Sequence, residues 1–176
     1  MAVVFLESSE NITLKNFDVD ILVFDPFLSA KSADELGVKM ATLEEIFTTC
    51  QVISNHIANN EHTVGMLDYR LFSLMKANGA FINTGRGAQV VEADLLMAMK
   101  DEPLRCAVLD VTTEEPYPSD GPLRTSANII LLPHIAGFAA SEVHCLSDSI
   151  IEQFDRYSKG EGLENVVTMN MLDTMA

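Results

Sequence analysis

Three residues of this sequence have side chains suited to proton and charge chemistry, and each stands just beyond a short apolar run. Arg86 follows residues 80–82, Glu115 follows residues 108–111, and His134 follows residues 130–133. Arg86 lies between Gly85 and Gly87, two residues that let a backbone turn sharply and come close to a ligand. A guanidinium keeps its charge at any working pH and grips both oxygens of a carboxylate. A histidine titrates near neutrality and serves as general acid or base, and a carboxylate beside it favours the charged imidazole. Together the three suit a reaction in which a carboxylate-bearing substrate gains or loses a proton.

The elements that must carry them alternate. Largely apolar stretches at residues 3–6, 21–24, 52–54, 80–82, 106–111 and 128–132 read as buried strands, that at 21–24 apolar throughout, with a short edge strand at 38–40. Helical spacing is predicted between them, at 11–17, 30–36, from 42, at 68–76 and at 92–100. Thr42, three residues before Glu45, has the pattern of a capping box. Leu71, Leu74 and Met75 should share a buried side of the fourth helix, and Val143, Leu146, Ile150 and Phe154 are spaced for one face of a last helix at 142–157. Alternating strands and helices imply a parallel sheet of six or seven strands with right-handed crossovers. In such a sheet ligands bind beyond the carboxyl ends of the strands, where all three residues would converge.

Composition narrows the class. A chain of 176 residues with 48% hydrophobic content has room for one substantial core. A formal charge of −15 argues against nucleic acid and anionic membrane surfaces as partners, and no apolar run is long enough to span a bilayer. Three cysteines, Cys50, Cys106 and Cys145, without metal-ligand spacing suggest buried thiols in a reducing cytoplasm. The first residues lack the basic start of a signal peptide, so a mature sequence is expected.

Three motifs in order, INTGRG at 82–87, LDVTTEEP at 109–116 and LLPHIAG at 131–137, resemble the D-isomer-specific 2-hydroxyacid dehydrogenases, over about residues 17–159. The resemblance implies an α/β, Rossmann-like parallel sheet with helices on both faces, NAD as cofactor, a small 2-oxo or 2-hydroxy acid as substrate and a homodimer. It implies that Arg86 binds the substrate carboxylate, that His134 is the general acid toward the carbonyl oxygen, and that Glu115 holds the imidazole. Asp25 would bind the adenosine ribose and favour NAD over NADP. Asp110 would be the nicotinamide-side aspartate. Thr84, Gly85, Ala136 and Gly137 would give backbone contacts around the nicotinamide, with Arg86 and His134 beside it, and His56 would lie in the loop under the cofactor.

The sequence departs from that pattern at its start. No glycine precedes Gly37, so the GxGxxG turn that cradles a pyrophosphate is missing. The expectation is a cofactor domain over residues 1–160, truncated at its N-terminus, and a tail, 161–176, that in the family returns to a substrate domain. Residues 3–6 would stand in as the first strand, with Ser8 and Ser9 at the phosphate turn. Two functions follow: a truncated NAD-dependent dehydrogenase of a small D-2-hydroxy acid, or a non-catalytic dinucleotide-binding or dimerising remnant of one.

Overall fold

The structure, a computed structural model, describes residues 2–3, 14, 17–137, 142–164 and 166–171. The expected helix at 11–17, the remainder of the first strand and the serines proposed for the phosphate turn fall largely or wholly outside these residues. Described strands are β1 (Ala2–Val3), β2 (Asp20–Val23), β3 (Lys39–Met40), β4 (Val52–Asn55), β5 (Ala80–Asn83), β6 (Cys106–Leu109) and β7 (Ile129–Leu131). Between and after them run α1 (Ala30–Leu36), α2 (Leu43–Thr49), α3 (Tyr69–Phe72), α4 (Glu92–Asp101), α5 (Pro122–Thr125) and α6 (Glu142–Ser158).

Every ladder is parallel. One runs β1-β2-β3 and the other β4-β5-β6-β7, and β1 also lies against β4, so the ladders meet there. This is the Rossmann-like α/β fold, and its parallel strands send all their carboxyl ends to one rim. The alternation within β2 shows why a continuous apolar run was needed. Ile21 and Val23 enter a small core with Ala33 and Val38, while Leu22 and Phe24 pack against the main one.

The main core fills the space between β4–β7 and helices α2, α3 and α4. At its centre Phe47, Phe72 and Phe81 are fully buried, with ring centroids 5.1 to 6.5 Å apart and two of the three pairs edge to face. Local signals fix several boundaries. Thr42 and Glu45 close the capping box at α2, and α1 ends at Gly37, whose φ of 64° is the left-handed cap that glycine adopts without penalty.

Three expectations need correction. The helix expected at 68–76 is a single α-helical turn, α3, and Leu74, beyond its end, is exposed. Cys50 is buried, which pushes its thiol up to about 11, but Cys106 is only half-buried and Cys145 is exposed. The stripe on α6 forms as spaced, yet none of its residues belongs to either core: Val143, Leu146, Ile150 and Phe154 are all exposed, the last two at 70%.

Candidate active site at the strand ends

The loops after β5, β6 and β7 interlock. Gly87 packs on the backbone of the β6 loop so closely that a Cβ there would lie 1.9 Å from the carbonyl carbon of Thr112. Thr112 in turn donates its N–H to Oε1 of Glu115 at 3.1 Å. The other oxygen, Oε2, lies 2.7 Å from Nδ1 of His134. The chain of contacts therefore runs from the arginine loop through the carboxylate to the imidazole. Glu115 is held below the usual carboxylate range, chiefly by its hydrogen bond to His134 and with a smaller contribution from the charge of Arg86. The carboxylate and imidazole thus meet at the rim, and the charge of Arg86 reaches the carboxylate. Arg86 is half-buried and donates from Nη1 to the carbonyl of Gly85 at 2.8 Å.

His134 sits at a φ of 55°, a left-handed conformation rare for a side chain with a Cβ. What holds it there is Asp110, buried at 3% exposure, whose two oxygens each accept a backbone N–H, from Ile135 and from Ala136, both at 2.8 Å. A carboxylate accepting two N–H groups makes strong, charge-assisted bonds. Asp110, expected beside a nicotinamide, thus spends both oxygens on the loop that presents the imidazole.

Two other expected residues, His56 and Asp25, lie at or just beyond strand ends. His56 bridges the ends of two strands, its Nε2 at 2.7 Å from Ser54 Oγ and its Nδ1 at 3.3 Å from Thr84 Oγ1. Asp25 stands at the end of β2, half-buried, with Oδ1 accepting the Phe27 N–H at 2.8 Å. Gly85 serves the protein itself: a Cβ there would come within 3.1 to 3.3 Å of Gln89 and Asn55. At Gly85 and Gly87 the place a Cβ would take is already held by neighbouring chain. Gly137 differs, since a Cβ there would meet nothing within 4 Å.

Beside the Glu115–His134 pair opens a cleft of about 570 Å³, walled by Pro116, Tyr117, Leu131 and Pro133 and carrying Arg124. Arg124 is tied to its own loop, donating to the carbonyls of Pro118 and Tyr117. Neither the cleft nor Arg124 was visible in the sequence, because α5 hides in a stretch rich in proline and acid. Among the described residues no group of His, Cys, Asp or Glu could hold a metal, and no helix is long and apolar enough to cross a membrane.

The fold is a Rossmann-like parallel sheet whose strand-end loops bring a carboxylate and an imidazole together. The chain belongs to the D-isomer specific 2-hydroxyacid dehydrogenase family, whose NAD binding domain matches residues 11–136. D-3-phosphoglycerate dehydrogenase of Archaeoglobus fulgidus is 30% identical over 159 residues, which are 90% of this chain and 30% of that protein. Glyoxylate reductase of Korarchaeum cryptofilum is 29% identical over 158 residues, 90% of this chain and 48% of that one. The chain therefore spans less than half the length of either relative. In fold it is similar to the glyoxylate/hydroxypyruvate reductase of Sinorhizobium meliloti solved with NADP and sulfate. That match has a TM-score of 0.77 at 24% identity, covering 94% of this chain and 54% of that one.

The cofactor of this domain is a nicotinamide dinucleotide, and the rim residues suit one end of it. Among the described residues nothing lies within 4 Å of where a Cβ at Gly137 would stand, and Asp25 sets a carboxylate just beyond β2, the kind of group that suits a ribose. The pyrophosphate turn expected at Ser8 and Ser9 lies outside the described residues.

Proposed function

We propose that this chain carries the cofactor-binding and acid–base half of an NAD-dependent 2-hydroxyacid dehydrogenase acting on a small D-2-hydroxy acid. The observation that carries this is the 2.7 Å contact between His134 and Glu115, with Arg86 close enough to act on the same carboxylate. When bound, the nicotinamide supplies the hydride for C2 of a 2-oxo acid, or accepts it in reverse. Arg86 grips the substrate carboxylate and places positive charge where the alkoxide develops. His134 gives its proton to the carbonyl oxygen and recovers it in the oxidation. Glu115 anchors Nδ1, which leaves Nε2 as the nitrogen that faces substrate. Asp25 takes the ribose hydroxyls and disfavours a 2′-phosphate, while Thr84, Ala136, Gly137 and His56 border the cofactor.

Two observations support a second reading, in which this chain alone is a non-catalytic dinucleotide-binding or dimerising module. It spans less than half of the relatives it matches, and the apolar stripe of α6 is uncovered. In either reading residues 1–160 form the cofactor domain, 161–176 lead toward a substrate domain, and the protein acts in the cytoplasm as a homodimer. NADH oxidation followed with glyoxylate, hydroxypyruvate and pyruvate separates the two. Turnover that disappears in His134→Ala establishes the dehydrogenase. No turnover establishes the module, dinucleotide-binding where NADH raises the melting temperature and dimerising where it does not and the chain sediments as a dimer; no turnover, no shift and a monomer overturn both readings.

A further inference from the structure

Beneath the arginine loop lie three buried amides that the chemistry above does not use. Asn55, Asn83 and Gln89 are 3%, 1% and 0% exposed. Asn55 Nδ2 donates to Asn83 Oδ1 at 2.9 Å and to Gln89 Oε1 at 2.6 Å. From this hub the bonds run outward to backbone. Asn83 Oδ1 accepts the Gly85 N–H at 3.1 Å, Gln89 Oε1 accepts the Arg86 N–H at 3.3 Å, and Asn83 Nδ2 donates to the Arg86 carbonyl at 3.2 Å. On the other side Asn55 Oδ1 accepts the Ile57 N–H at 3.2 Å, and Gln89 Nε2 donates to the Ile57 carbonyl. Three side chains thereby hold the backbone of Gly85 and Arg86 at three points and bolt it to the loop that follows His56.

We propose that Asn55, Asn83 and Gln89 are positioning residues that fix the Gly85–Arg86 turn, and through it aim the Arg86 guanidinium at Glu115 and His134. A core of isoleucine and leucine could fill the same volume with no need for partners. A buried amide left unsatisfied is costly, so a fully satisfied network specifies one arrangement of the loops it joins. Each bond to Arg86 is to its main chain, which leaves the guanidinium outside the network and open to a substrate. The small space beside Gly85 agrees: a Cβ there would press on both Asn55 and Gln89. The proposal rests on Arg86 having the substrate-binding role assigned above, but it can be read without turnover.

The test follows the Glu115 carboxyl by carbon-detected NMR titration in the full chain. Arg86 helps hold that group low, so Arg86→Gln is expected to raise its midpoint. Gln89→Met, similar in size but without the amide, is expected to raise it too, and Asn83→Ser is a gentler lesion should Gln89→Met not fold. Met99→Ala is the control, a core change that lowers the melting temperature and leaves the midpoint in place. A midpoint unmoved in Asn83→Ser and Gln89→Met, or unmoved in Arg86→Gln itself, overturns the proposal. With turnover, Gln89→Met and Asn83→Ser should raise KM for the 2-oxo acid about tenfold while the NADH Kd stays unchanged. Absence of turnover in the parent bears on the dehydrogenase reading alone, since the titration reports the aim of Arg86 either way.

Discussion

Nδ1 of His134 and Oε2 of Glu115 meet at 2.7 Å across loops that leave two neighbouring strands, β6 and β7. Because the folded Glu115 titrates below its ordinary value of 4.5, its contribution to stability is complete above that value and is lost as the pH falls through the lowered one. Both groups are partly exposed, so the contribution amounts to no more than about 1 kcal/mol. Melting curves of the parent and Glu115→Gln over an acid series are expected to differ at neutral pH and to merge in acid. A gap that widens as the pH falls would contradict this sign.

Asp110→Asn keeps the shape of the side chain but sets an amide NH₂ against one of two backbone donors. The expected loss is about 2 kcal/mol, the scale for hydrogen bonds to a charged group. Amide hydrogen exchange at Ile135 and Ala136 should speed up well before the sheet does. Equal protection in parent and variant would show that the loop holds its left-handed turn without the carboxylate.

The two kinds of glycine can be told apart. Gly87→Ala drives a methyl into the Thr112 backbone, which has no rotamer through which to yield, and is expected to cost about 3 kcal/mol or more. Gly137→Ala should change stability by less than about 0.5 kcal/mol, yet weaken NADH binding if a ligand lies against that edge. Melting temperatures and NADH titration of both variants check the pair.

Arg105 is a buried cation, 5% exposed, that donates to the carbonyls of Ser73, Met75, Lys76 and Ala98. These lie just beyond α3 and within α4, where carbonyls lack or share partners. Arg105→Met is expected to destabilise by about 3 kcal/mol or more, since each stranded carbonyl costs about 1 kcal/mol or more. Arg105→Lys should recover little, because an ammonium cannot reach four acceptors from one point. Urea denaturation of the three proteins measures this.

The strands were legible because each needed apolar residues on both faces, and β2 shows both sides of that requirement used. The start of α2 was legible because Thr42 and Glu45 announce it locally. What a sequence does not reveal is the partner. Leu74 carries the right spacing for a helix face, but the helix ends before it. Gly85 and Gly87 read as sharp turns, and the structure adds that neighbouring chain already holds the place a Cβ would take at each. Asp110 fits a family position, while the structure turns its oxygens to Ile135 and Ala136. Asn55 and Asn83 carried a signal that spacing alone undervalues: amides at the last position of two neighbouring strands, with Gln89 following six residues after Asn83.

The stripe along α6 has a practical consequence for the rest of the molecule. Since Leu146, Ile150 and Phe154 touch neither core, the sheet owes them nothing. A chain cut after Gly137 is expected to unfold at nearly the same temperature as the parent and to bind far less of a dye that lights up on greasy surfaces. That outcome would make α6 the part of the cofactor domain that neither core registers when it is removed.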